Sequence, residues 1–191
     1  MNDPDKASAP RQRLLDTAVR LFYAEGVHAV GVDRLVTEAG VTRATFYRHF
    51  PTKNDLVLAY VAHHDRVIRT IVTADVQGKA PDEALTAIFT GLSAYACSPG
   101  FRGCPFINVA AEYPDPADPV RAAVGAHRAW LRGTLHDLLA AAGHQEPAVA
   151  AQTLLSLRDG ILVGGYLDDP ATVGAAIRQA VQATLAAPPR A

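Results

Sequence analysis

Residues 33–50 (DRLVTEAGVTRATFYRHF) leave this chain few folds to choose from. Leu35, Val36 and Ala39 give a short helix one apolar side, Gly40 breaks it, and Phe46 and Phe50 do the same for a second short helix. What the second helix leaves exposed is basic, aromatic and hydroxylated. From Thr42 to Lys53 there are three certain cations (Arg43, Arg48 and Lys53), a protonation-dependent one in His49, and no acid. The whole chain carries a formal charge of only -1. A local basic face on a nearly neutral protein suits a polyanion, and the helix–glycine–helix spacing suits double-stranded DNA.

The rest of the sequence reads as helix almost throughout. Leu14, Leu15, Ala18, Val19, Leu21 and Phe22 recur at three- and four-residue steps between Pro10 and Gly26, which predicts an amphipathic first helix. Asp33 is placed at the start of the second helix and Thr42 is an N-cap for the third. Thr52 and Asp55 have the spacing of a capping box at the start of a long fourth helix, although Asp replaces the usual Glu or Gln. Breaks at 78–81, 98–100, 113–119, 143–147 and 168–170 divide the remainder into helices near 82–97, 104–112, 118–142, 147–167 and 171–186. The expectation is an all-α protein of about nine helices. A disordered arm covers 1–10, a helix-turn-helix module 11–60, and a helical body 61–187, with a frayed tail at 188–191.

Composition sets the boundaries. The chain has 191 residues, 49% of them hydrophobic, which is enough for a buried core and too apolar for a disordered chain. No apolar run reaches the ~18 residues of a membrane span, and the polar start lacks the apolar stretch of a signal peptide. Two cysteines, Cys97 and Cys104, make neither a disulfide framework nor a metal finger. The expected location is cytoplasmic, with no membrane partner, no metal and no cofactor.

The residues of the first third resemble the tetracycline-repressor-like (TetR) family of bacterial regulators. The resemblance is carried by RLLDTA at 13–18 with Leu21, Phe22 and Gly26, by VDRL at 32–35, AGVTR at 39–43, TFYRHF at 45–50 and KNDL at 53–56. It spans about residues 11–60. One departure is Gly31, where many members carry a Ser or Thr that caps the second helix and touches phosphate; a backbone N–H is the substitute there. The later segments resemble the family in layout: helices forming a ligand pocket, then two last helices that dimerise. GCPF at 103–106, with Asn108, Glu112, Pro114 and Asp115, looks like a subgroup of the family and identifies no inducer.

Function follows from that placement as a set of expectations. The N-terminal half of a recognition helix meets base edges, so Arg43 is the base reader through a guanidinium fork on guanine O6 and N7, with Thr45 beside it. Thr42 and Arg48 belong to the same surface. The resemblance implies phosphate contacts for Tyr47, His49 and Lys53. Arg34, Arg11 and Arg13 are further phosphate candidates, for which ordinary surface arginine is the alternative. An effector pocket is expected among Phe89, Tyr95, Phe106, Asn108, Glu112, Tyr113, His127 and Trp130, although aromatics at helical spacing also make plain core. Leu154, Leu157, Ile161 and Gly164, with Val173, Ile177 and Val181, are the expected dimer interface. His63 and His64 are adjacent, point apart, and make no metal pair.

The resulting reading is a homodimeric repressor released from a palindromic operator by a small-molecule inducer. One variant makes it a thiol sensor, because Cys104 precedes a helix and sits near Arg102, features that favour a thiolate; a buried structural cysteine is the alternative. An enzyme with an incidental basic helix is the competing class. Against it, there is no Ser-His-Asp order, phosphate loop, HExxH or acid pair on one face. A DNA-coating protein without ligand control is a third, and the long apolar body argues against it.

Overall fold

The computed structural model describes residues 9–186; the expected arm up to residue 8 and the tail from 187 lie outside the described residues. Nine helices make up the described chain: α1 (Ala9–Glu25), α2 (Val32–Glu38), α3 (Arg43–His49), α4 (Lys53–Val76), α5 (Pro81–Ala96), α6 (Pro105–Glu112), α7 (Pro119–Ala141), α8 (Pro147–Leu167) and α9 (Pro170–Leu185). No strand occurs among the described residues. Ala9 and Pro10 form the first turn of α1 rather than part of an arm. Pro99, in the break at 98–100, lies in a turn, whereas Pro81, Pro105, Pro119, Pro147 and Pro170 open α5 to α9. Proline suits that position because its fixed φ is helical and its missing N–H has no partner to lose.

The contacts gather into two compact units. The first holds residues up to 65 together with 105–124, and the second holds 66–104 and 125 onward. The chain therefore does not divide only once near residue 60. The α6 segment returns to the first unit.

In the first unit α1, α2 and α3 pack on one another. Leu14, Ala18, Leu21, Leu35, Phe46 and Phe50 are buried there, as are Leu56, Val57 and Tyr60 of α4 and Phe106 and Val109 of α6. Phe22 meets Tyr60 edge-on at 5.6 Å between ring centroids. In the second unit α5, α8 and α9 pack mutually, with Leu85, Phe89, Leu154, Leu155, Ile161, Leu162 and Val181 buried.

One buried polar group of the first unit has a measurable consequence. His64 lies edge-on to Tyr60 at 4.6 Å and near Phe106 at 6.5 Å, and its Nε2 is buried without a hydrogen-bond partner. Burial, with a smaller contribution from His63, pushes its pKa down to about 4. In the unfolded chain it titrates at ~6.5, so between those values the unfolded state binds the extra proton and stability falls as pH falls. Between pH 7 and pH 5 the loss from this group is about 2 kcal/mol. Urea unfolding at the two pH values is expected to show a smaller difference in His64→Gln than in the wild type. Equal differences would remove His64 as the cause.

Candidate nucleic-acid interface

The second and third helices present the basic face, and local chemistry sets their ends. Gly40 takes φ 61°, the left-handed conformation that lets the chain turn from α2 into α3. Thr42 caps α3, its hydroxyl accepting from the Thr45 N–H at 3.1 Å. At the start of α4, Asp55 accepts from the Thr52 N–H at 2.8 Å and Thr52 Oγ1 accepts from the Asp55 N–H at 3.2 Å. The capping box thus forms with Asp in the place of Glu. The α2 N-cap is Gly31, which makes no side-chain cap, while Asp33 lies in the first turn.

Phe46 and Phe50 anchor α3 in the core, which turns Thr42, Arg43, Ala44, Tyr47 and Arg48 outward. Thr45 and His49 are half-buried. Arg43, the expected base reader, is 62% exposed at the side chain and is held by a partner that sequence reasoning did not assign to it. Its Nε donates to Asp33 Oδ1 at 2.6 Å and its Nη2 to Asp33 Oδ2 at 2.7 Å. The same hydrogen bonds hold the Asp33 carboxyl below the usual aspartate pKa and raise that of Arg43.

Four expected phosphate contacts have other partners. Arg34 is paired with Glu25 and with Glu38, the latter at 3.1 Å, so it braces α1 against α2. Arg13 donates from Nε to the Ala39 carbonyl at 3.1 Å. The Arg11 guanidinium lies over the Phe50 ring at 5.1 Å. Lys53, half-buried, donates to the Val27 carbonyl at 2.6 Å, and burial lowers its pKa.

Glu112 and Tyr113, expected to line an effector pocket, instead hold the connector between α1 and α2. Glu112 Oε1 accepts from the Val27 N–H at 2.8 Å and Oε2 from the His28 N–H at 2.6 Å. His28 Nδ1 is 3.2 Å from the same Oε2. The Tyr113 ring stacks on His28 at 5.2 Å, and its hydroxyl donates to Asn54 Oδ1 at 3.0 Å. Gly26, at φ 92°, begins this connector, and a Cβ there would sit 3.2 Å from Glu112 Oε1. Two backbone donors without secondary-structure partners thus find a carboxylate more than eighty residues away in the chain. No periodicity reveals such a pairing.

Of the remaining effector candidates, Phe106 is buried against His64 in the first unit and Asn108 is exposed there. Phe89, Tyr95, His127 and Trp130 belong to the second unit. Phe89 and His127 are buried, Tyr95 is exposed, and Trp130 carries the Arg69 guanidinium over its ring at 4.2 Å. Beside His127 and Trp130 in sequence, Arg128 pairs with Asp159 at 2.7 Å. Asp159 also accepts from Arg158 at 2.8 Å. Arg158 is itself buried and donates to Cys104 Sγ at 3.3 Å. Burial works against the Arg158 charge, but the Cys104 sulfur and the Asp159 carboxylate outweigh it and raise the pKa. Arg158 and Asp159 are the only charged residues of α8, a signal present in the sequence and passed over. Cys104 is 2% exposed, which fits a packed cysteine better than a reagent-accessible one. Among the described residues no group of three or more His, Cys, Asp and Glu side chains is placed to hold a metal ion.

The expected dimer face needs correction. Leu154, Ile161 and Val181 are buried within the monomer, and Leu157 and Gly164 are half-buried; the side chains of Val173 and Ile177 lie outside the described residues. Exposed apolar residues on α8 are Val149 (60%), Val163 (46%), Tyr166 (51%) and Leu167 (70%). Thr153, Ser156 and Gly160, also exposed, continue the Val149–Val163–Leu167 line at alternating four- and three-residue steps. Large apolar residues occur on both the buried and the exposed sides of α8, so they give no period by which sequence can tell core from interface.

A capped helix, a left-handed glycine turn and an anchored second helix with an exposed basic face define a helix-turn-helix transcriptional regulator. Comparison with known proteins gives the family. Residues 14–60 match "Bacterial regulatory proteins, tetR family", and residues 81–184 match "Tetracyclin repressor-like, C-terminal domain". A TetR-family transcriptional regulator from Streptomyces coelicolor is 49% identical, with a TM-score of 0.90, covering 93% of this chain and 95% of that one. The HTH-type transcriptional regulator LmrA of Bacillus subtilis is 28% identical over 124 residues, 63% of this chain and 66% of that protein. The transcriptional regulator AcuR of Cereibacter sphaeroides is 31% identical over 135 residues, 69% of this chain and 61% of that protein. The matches thus span less than two thirds of the length of these two curated relatives. The chain belongs to the TetR family, whose members here are transcriptional regulators and not enzymes. No helix among the described residues is long and apolar enough to cross a membrane.

Proposed function

We propose that this chain is a homodimeric, ligand-responsive repressor that binds a near-palindromic operator through α3 of each subunit. The observation that carries the reading is the outward row Thr42, Arg43, Tyr47 and Arg48 on a helix anchored from behind by Phe46 and Phe50. Arg43 reads a base; Tyr47, Arg48 and His49 contact phosphates and fix the register. Arg34 and Lys53 act mainly by bracing, since their hydrogen bonds go to the protein. Two such heads read half-sites ~34–36 Å apart. The protein works in the cytoplasm, where its operator is.

Pairing uses the exposed line of α8 through Val149, Gly160, Val163 and Leu167, together with α9. Exposed Val149, Val163 and Leu167 on one line of the helix favour a partner helix over water. The effector binds in the second unit near Phe89, His127 and Trp130, where the His127 and Trp130 rings are 5.6 Å apart and the Arg69 guanidinium lies over Trp130. It shifts an existing equilibrium toward a dimer whose heads no longer match the operator spacing. The burial of Cys104 weighs against the thiol-sensing alternative.

Electrophoretic shift against the DNA upstream of the chain's own gene tests the reading. The wild type is expected to form a salt-resistant specific complex. Arg43→Ala is expected to lose about ten- to a hundred-fold in affinity for each half-site of the operator, the value of a bidentate base contact, and much less on mixed-sequence DNA. Binding of the wild type that is sequence-independent at moderate salt refutes the repressor reading.

A further inference from the structure

The basic face contains an acid that the run from Thr42 to Lys53 does not. Asp33, on α2, is 74% exposed at the side chain and lies against Arg43, the first residue of α3. A carboxylate facing DNA phosphates opposes binding. Its presence there requires an account, and the geometry of the pair supplies one.

A guanidinium has five N–H donors arranged on fixed edges. Asp33 takes the edge formed by Nε and Nη2, at 2.6 Å and 2.7 Å. The other edge, between Nη1 and Nη2, keeps two parallel donors for a second planar acceptor pair. Guanine O6 and N7 are such a pair. The carboxylate also fixes the plane of that edge before DNA arrives. An arginine is otherwise ordered only on binding, at a loss of rotamer freedom.

We propose that Asp33 is a specificity-determining residue: it clamps Arg43 by one guanidinium edge so that the other is presented to a guanine in the major groove. The inference rests on α3 being the DNA-reading helix. Asp33 does not touch the base. It raises the selectivity of Arg43 while lowering affinity for DNA in general, since its negative charge stays near the phosphates. A residue that only supported the fold would lower both together.

The test selects bound sequences from a random duplex library with the full chain, and measures affinity for a mixed-sequence duplex at low salt. The wild type is expected to enrich a half-site in which one G·C pair is lost in Arg43→Ala. Asp33→Asn is expected to weaken the preference at that pair by about ten-fold, the loss from ordering a free arginine fork on binding. Preferences elsewhere stay as they were, and affinity for mixed-sequence DNA rises a few-fold. Asp33→Ala must give the same pattern, so an effect particular to one replacement is recognised. Asp33→Asn added to Arg43→Ala must change nothing at that pair. An unchanged preference in Asp33→Asn, a uniform loss at all positions, or a further change in the double variant overturns the proposal. A wild type that enriches no sequence overturns the operator reading itself, and this inference with it.

Discussion

The double variant Gly160→Glu/Val163→Asp is expected to sediment as a monomer and to lose operator affinity by at least about a hundred-fold, with the helix content of the wild type. The loss has that size because linking two reading heads raises affinity ~10²–10⁴-fold with no new contact, and separation removes it. The fold survives because neither site is in the monomer core. Both residues are exposed, and a Cβ built at Gly160 meets open space. Buried Leu154 and Ile161 lie on the other side of the same helix, and truncating them would confuse loss of pairing with a core defect of ~2–5 kcal/mol. Two acids facing their own copies across a two-fold axis combine repulsion with desolvation. Sedimentation velocity and circular dichroism on one sample check this. A variant that remains dimeric moves the interface off this line of α8.

Glu112→Ala is expected to lower the stability of the first unit by about 3 kcal/mol and to reduce operator binding near the new melting point. Each of two backbone N–H groups loses a charge-assisted bond of ~1.5–3 kcal/mol, and the Val27 N–H is left in a buried residue. The Glu112 carboxylate is bound to Val27 and His28 in the α1–α2 connector rather than to α3, so binding should return on cooling, whereas binding lost with a DNA contact would not. Glu112→Gln keeps one acceptor oxygen and should fall between. Thermal melting with operator titration at two temperatures checks the pair. An unchanged melting temperature in Glu112→Ala would show that the connector holds its shape without the carboxylate.

The helices were legible because their signals are local. Period, the glycine turn at Gly40, the Thr42 cap and the prolines before α5 to α9 lie within a few residues of what they determine. The same is true of the exposed α3 side chains, whose direction follows from Phe46 and Phe50. Long-range pairings were not legible. Nothing near Glu112 indicates that its carboxylate serves Val27 and His28, and nothing near Lys53 indicates the Val27 carbonyl. Asp33 was visible as a helix-start acid, a role that concealed its second one on Arg43. For α8, apolar residues on both its buried and its exposed sides removed the contrast by which an interface could be separated from a core. Chemistry carried by one segment can be read from sequence; chemistry shared between segments needs coordinates.

On the proposed function, α3 of each subunit reads a half-site and two subunits do so together. Hydroxyl-radical footprinting of the intact protein on its upstream DNA, at moderate salt, tests both parts at once. Two protected patches related by a two-fold axis, one helical turn (~34–36 Å) apart, are expected, both absent in Arg43→Ala at the same concentration. Uniform protection without a boundary, or a single unpaired patch, would contradict the proposed function.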